Sequence, residues 1–115
     1  MIGIDILEVE RVKDLSLEAG RVFTQREIDY IHLKGDALET IAGIFCAKEA
    51  VLKALGTGIG NQTGLCHVEV DHTPLGQPMV VLYGKAKDLL LEKGKEIFLS
   101  ITHSKNTAVA VAVIK

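Results

Sequence analysis

The chain switches repeatedly between a period of two and a period near 3.6 in its apolar positions. Ile2, Ile4 and Ile6 alternate against Gly3 and Asp5, which predicts a strand with the isoleucines toward a core and Asp5 on the other face. Over residues 8–19, Glu8, Glu10, Arg11, Lys13, Asp14 and Glu18 are mixed with Val9, Val12, Leu15 and Leu17, the pattern of an amphipathic helix that Gly20 ends. Thr24 with Glu27 three residues later is a capping-box signature for a helix running through Ile28, Ile31 and Leu33 to near Gly35. Residues 66–72 and 79–83 read as two strands about a turn at 73–78, and residues 85–93 as a short helix bounded by Gly84 and Gly94. Two last strands, 97–103 and 108–114, are joined through Ser104, Lys105 and Asn106. In the second of them Val109, Val111 and Val113 alternate with Ala108, Ala110 and Ala112, leaving one bulky face and one flat face suited to a closely packed helix.

The densest pattern lies between these halves. Asp36 with Glu39 gives another capping-box signature, and Gly56 a C-terminal cap, so a long helix is expected from about 36 to 56. Ile41, Ile44, Phe45, Val51, Leu52 and Leu55 fall on one arc, while Ala42, Gly43, Ala47, Ala50 and Ala54 fill most of the remainder. A helix apolar or small all round belongs in an interior. Its charges then need a reason, because desolvating an unpartnered charge is costly. Lys48 falls inside the apolar arc. Glu49 and Lys53, four apart, share a stripe with Ala42 and Cys46. On a solvated face they would be an ordinary pair worth roughly 0.2–0.5 kcal/mol; the missing solvated face points instead to a site. Asp5, unfavourable inside a strand, is either a strand-end capping residue or a ligand.

At 115 residues the chain is expected to form a single domain over 1–115, small enough for subunit association to add to its stability. A net charge of −2 argues against non-specific nucleic-acid binding. Without a transmembrane run or a signal-peptide pattern, a soluble cytoplasmic protein with no membrane partner is expected. Cys46 and Cys66 are not spaced as a metal or redox motif and read as free thiols. Arg11, Lys13, Arg21 and Arg26 are interspersed with acids and read as solvated surface. The stretch Gly56, Thr57, Gly58, Ile59, Gly60, Asn61 could let backbone amides approach a phosphate, but it follows a helix C-terminus, where the dipole disfavours an anion. A phosphate there would need Lys53 or a metal. His32, His67, His72 and, at a strand end, His103 read as hydrogen-bonded structural residues, with no metal-ligand spacing among them.

Three segments together resemble a known family: Gly3-Ile4-Asp5-Ile6 continuing to Glu8 and Arg11; Phe45-Cys46-Ala47-Lys48-Glu49-Ala50 through Lys53-Ala54-Leu55-Gly56-Thr57-Gly58; and Ser100-Ile101-Thr102-His103-Ser104. In order and spacing they resemble the holo-acyl-carrier-protein synthases, the small 4′-phosphopantetheinyl transferases. The resemblance implies an α+β fold in which an antiparallel sheet packs against the long central helix. It also implies a homotrimer with active sites at its subunit interfaces. The implied reaction is Mg²⁺-dependent transfer of phosphopantetheine from coenzyme A to a serine of apo acyl carrier protein, as in fatty acid biosynthesis, leaving adenosine 3′,5′-bisphosphate. By position, Asp5 and Glu49 match the magnesium-binding carboxylates, and Lys53, Gly56 and His103 match residues lining the coenzyme A phosphates. Pro78 matches the adenine-side contact, and Arg11, with Arg26 in a comparable region, matches the carrier-docking surface. A carboxylate-held Mg²⁺ and a lysine are suited to neutralising charge on a pyrophosphate under attack. The proton of the acceptor serine could pass to Glu49, to Asp5 or to a bound water. One departure is Ile44, where the family commonly carries arginine.

Overall fold

The computed structural model describes residues 1–57, 64–94 and 96–115, so Gly58, Ile59, Gly60 and Asn61 of the glycine-rich stretch lie outside the described residues. The elements are β1 (Ile2–Glu8), a 3-10 turn (Val9–Val12), α1 (Gln25–Leu33), α2 (Leu38–Ala54), a second 3-10 turn (Leu65–His67), β2 (Val68–His72), β3 (Pro78–Leu82), α3 (Gly84–Lys93), β4 (Ile97–His103) and β5 (Thr107–Ile114). Strands β1, β5 and β4 form an antiparallel sheet in that order, and β2 with β3 forms an antiparallel hairpin. Helix α2 lies across the three-stranded sheet, as expected for an α+β fold with a central helix.

Small residues set the distance between helix and sheet. Ala108, Ala110 and Ala112 of β5 are fully buried toward α2, as are Ala42, Ala47, Ala50 and Ala54 of the helix itself. Gly3 completes the contact: a Cβ placed there would lie 2.1 Å from the Ala50 carbonyl oxygen and 2.5 Å from the Ala54 nitrogen. That approach reverses the expectation for β1. Its glycine face is the one against α2, because isoleucines on that side would hold the helix off. Ile2, Ile4 and Ile6 are instead 69%, 60% and 69% exposed. Together with half-buried Val109, Val111 and Val113 and exposed Phe98, they give the sheet an open apolar face.

Helices α1 and α2 finish on the same device. Gly35 and Gly56 take left-handed backbone conformations (φ +72° and +78°), each amide donating to the carbonyl three residues back, of His32 and Lys53. The next amides, of Asp36 and Thr57, reach the Ile31 and Leu52 carbonyls at 3.0 Å. Asp36 is thereby consumed in ending α1: its own φ is +57° and its carboxylate sits 2.6 Å from His32 Nδ1. Helix α2 therefore starts one residue later, with Ala37 as its N-cap and no side-chain cap, which corrects the capping box read at Asp36 and Glu39. The box at Thr24 and Glu27 forms in full. Residues 8–19 are not a helix. Glu8 pairs with Thr107 as the last residue of β1, only the turn Val9–Val12 follows, and Val9 and Val12, three apart, are its buried pair.

Candidate functional site

Helix α2 carries Glu49 and Lys53 one turn apart toward the end of β1, and the close contact at Gly3 brings Asp5 beneath them. Lys53 Nζ donates to Asp5 Oδ1 at 2.9 Å and to the Ile4 carbonyl at 3.0 Å. Burial raises the Glu49 carboxyl above its usual range, the negative charge of Asp5 adds to that, and Lys53 opposes both. Lys53 is itself held protonated, chiefly by its hydrogen bond to Asp5. Asp5, Glu49, Lys53, Arg11 and Phe45 line one cleft of about 400 Å³. Beneath it Cys46 is fully buried, its thiol donating to the Asp5 carbonyl at 3.2 Å; burial, then the neighbouring Asp5, push that thiol up to about 12.

An acid whose proton affinity is raised by burial and by a second acid across the cleft, with one lysine beside them, is suited to a further cation. Among the described residues no group of three or more His, Cys, Asp or Glu side chains forms a metal cage. The donor set is thus two carboxylates and no imidazole or thiolate, which fits a hard, oxygen-seeking ion that keeps waters and takes phosphate oxygens, as Mg²⁺ does.

The other expected residues fall elsewhere. Pro78 and His103 line a second, smaller cleft of about 190 Å³ with Tyr30, Glu39, Thr40, Gly43, Ile44, His72, Gly76 and Ile101. Gly56 forms the turn that ends α2 and lines neither cleft. Arg26, on α1, is 3.7 Å from the Asp71 carboxylate and also lines neither, whereas Arg11 makes no ion pair among the described residues. Lys13 and Arg21 are tied to Glu10 and Glu18, the solvated pairs that the sequence suggests.

Two features were hidden from sequence reading. Lys48, out of place on an apolar arc, is fully buried against Glu27, whose carboxylate also accepts from the Thr24 and Val70 amides at 2.9 and 2.8 Å. The capping acid of α1 is therefore also the counter-charge for α2. His72 is not a plain structural histidine but a wall of the smaller cleft; its one signal in the sequence is its place across the hairpin from Pro78.

A sequence model of the 4′-phosphopantetheinyl transferase superfamily matches residues 1–113. A holo-[acyl-carrier-protein] synthase of Caldicellulosiruptor bescii is 48% identical over 118 residues, covering 97% of this chain and 94% of its own. The crystal structure of the Helicobacter pylori holo-[acyl-carrier-protein] synthase in complex with coenzyme A superposes with a TM-score of 0.85 at 31% identity, covering both chains completely. A Bacillus anthracis holo-(acyl-carrier-protein) synthase in complex with CoA (3′,5′-ADP) gives 0.76 at 36% identity, over 96% of this chain and 91% of that one. None of the described helices is long and apolar enough to cross a membrane. With likeness of this extent in sequence and in fold, the chain belongs to the 4′-phosphopantetheinyl transferase superfamily and, within it, to the holo-[acyl-carrier-protein] synthases.

Proposed function

We propose that the chain transfers 4′-phosphopantetheine from coenzyme A to a serine of apo acyl carrier protein, in a Mg²⁺-dependent reaction that leaves adenosine 3′,5′-bisphosphate. The observation that carries this reading is the meeting of Asp5 from β1 with Glu49 and Lys53 from α2 in one cleft. When bound, Mg²⁺ would supply positive charge to the phosphate oxygens as the pyrophosphate linkage breaks. Asp5 and Glu49 would hold it. Lys53, now satisfied by Asp5, would be released toward the leaving phosphate once a cation takes its place. Glu49, Asp5 or a bound water would take the serine proton. Gly56, close to Lys53 at the end of α2, would let a phosphate approach the turn without a Cβ in the way.

The smaller cleft, about 190 Å³, does not match a whole coenzyme A. It lies below the roughly 300–1,000 Å³ usual for a complete small-molecule pocket. We therefore read Pro78 and His103 as the nucleotide end of the site, with Pro78 against the base and His103 near the phosphates, completed by the Asp5 and Glu49 cleft of a neighbouring protomer. The open face of Ile2, Ile4 and Ile6 supports association of this kind, since a contiguous exposed apolar face favours a partner; the reading is a homotrimer. Arg11, beside the larger cleft and without an ion pair among the described residues, would face acidic side chains of the carrier protein, with Arg26 in a peripheral role because it must exchange Asp71 for them. The two free thiols suit the cytoplasm, where we place the enzyme. Incubating the protein with coenzyme A, Mg²⁺ and apo acyl carrier protein should add the mass of phosphopantetheine to the carrier. An unmodified carrier, with coenzyme A still bound by the protein, would reduce the reading to a binding protein.

A further inference from the structure

His72 is the last residue of β2 and pairs in register with Pro78, the first of β3. Side chains opposite one another in an antiparallel pair stand about 4.5–5.5 Å apart at Cβ. A group resting against Pro78 is therefore within reach of the imidazole. The ring does not swing freely: it stacks on Tyr30 with centroids 3.8 Å apart and planes 4° from parallel.

The ring's two nitrogens are in different situations. Nδ1 is buried and has no hydrogen-bond partner among the described residues. Were it the protonated nitrogen, a donor would be orphaned in the interior, the costlier arrangement; an unused lone pair costs less. The proton therefore resides on Nε2, and Nε2–H is the polar edge that His72 can offer the cleft. Charging the ring would force a proton onto the sealed Nδ1 as well. Burial lowers the His72 pKa, Asp71 opposes that and Lys34 adds to it, so the ring stays neutral near pH 7. Glu39 presents a carboxylate to the same cleft, and Gly43, Ile44 and Ile101 with Pro78 make an apolar floor, which leaves the phosphates to His103. A neutral donor, an acid and a flat floor select an uncharged planar ring that carries acceptor nitrogens.

We propose that His72 is a specificity-determining residue, donating Nε2–H to a ring nitrogen of the purine base of the bound donor substrate, with Tyr30 as the positioning residue that fixes the imidazole plane. The proposal rests on the reading of this cleft as the nucleotide end of the coenzyme A site.

The test uses the whole protein. Wild type must first load the carrier; its failure to do so speaks against the transferase reading and not against His72. His72→Phe keeps a ring on Tyr30 and removes the donor. The dissociation constants for coenzyme A and for 3′-dephospho-coenzyme A, measured by titration calorimetry, should both rise roughly three- to tenfold. KM for coenzyme A should rise in parallel, with kcat within about twofold of wild type and the unfolding temperature no lower. His72→Asn, which restores an N–H donor, should recover part of the loss. Unchanged affinity for both ligands overturns the proposal. A loss confined to coenzyme A moves the contact to the 3′-phosphate and overturns it equally. A fall in kcat together with a lower unfolding temperature assigns the residue to structure alone. Should the phenylalanine variant not fold, His72→Met makes the same comparison.

Discussion

Removing one partner of the buried Glu27–Lys48 pair should cost far more than removing any other ion pair of the described residues. Both side chains are fully buried, whereas the pairs made by Lys13, Arg21 and Arg26 are solvated and contribute roughly 0–1 kcal/mol each. Breaking a desolvated pair from one side typically costs about 3–5 kcal/mol. Lys48→Met should fall near the lower end, because the Glu27 carboxylate keeps its bonds from the Thr24 and Val70 amides and can also take up a proton. Glu27→Gln should fall near the upper end, since it strands an ammonium whose other neighbour is the Phe23 ring, 5.5 Å away. With a urea m-value of about 2 kcal/mol/M, a loss of about 3 kcal/mol moves the midpoint by roughly 1.5 M. Urea titrations at one fixed protomer concentration keep association out of the comparison. The pH dependence supplies a second readout. Burial already raises Glu27 and Lys48 opposes it, so Lys48→Met leaves the acid raised further. A folded-state pKa above the unfolded one means the native state holds a proton that the unfolded chain has released. Stability therefore falls as pH rises between the two values, and Lys48→Met should lose more than wild type as pH rises above the usual carboxylate range. The double variant should cost less than the sum of the singles, the coupling being the pair itself. A cost below about 1 kcal/mol for both singles, or no steeper pH dependence, would mean that the pair is not desolvated in solution.

Glu49→Gln should fold normally and lose most Mg²⁺-dependent transfer, since a neutral amide is a poor ligand for a hard cation; near-normal transfer at limiting Mg²⁺ removes it from the metal site. Arg11→Glu should raise KM for the carrier protein about tenfold while leaving that for coenzyme A unchanged, and equal effects on the two contradict a docking role. Gly3→Ala should destabilise by about 3 kcal/mol or more in urea, because its Cβ would meet backbone atoms of α2 at 2.1 and 2.5 Å and neither can yield alone; a wild-type midpoint would show that helix and sheet are less closely packed. Cys46, Lys53 and Tyr83 all keep their protons more firmly in the fold, with Cys46 pushed up to about 12. The native state then outbinds the unfolded chain above about pH 9, so stability should fall through the alkaline range and fall less steeply in Cys46→Ala; a flat curve for wild type contradicts the shared direction.

Local signals in the sequence mark what local physics decides. Thr24 and Glu27 cap α1 as read, Gly35 and Gly56 end the two helices, and the alanine face of β5 takes the helix, because each depends on residues within a turn or a strand of one another. Expectations fail where one residue answers to two neighbours. Asp36 could begin α2 or finish α1, and the left-handed turn at Gly35 settles it for α1. The alternation of β1 fits either orientation, and it is the small stripe of α2, over forty residues away, that turns Gly3 inward and Ile2, Ile4 and Ile6 outward. Lys48 looks misplaced until Glu27 is brought to it by the packing of α1 on α2.

The same distinction explains how the site is divided. Glu49 and Lys53 are legible because a helix fixes their phase, and Asp5 joins them through one strand-to-helix contact. Pro78 and His103 stand on the hairpin and at the end of β4, and the chain brings them to His72 and Tyr30 rather than to the carboxylates. In the proposed trimer a second copy would supply the missing wall, so that one substrate touches both sets. The isoleucines turned outward by Gly3 lie on the same strand as Asp5, alternating with it, so the packing that places one acid on the helix side also exposes the apolar face on the other. Substituting Gly3 would thus disturb the cleft of Asp5 and Glu49 and the open sheet face together, whereas Glu49→Gln should leave association untouched.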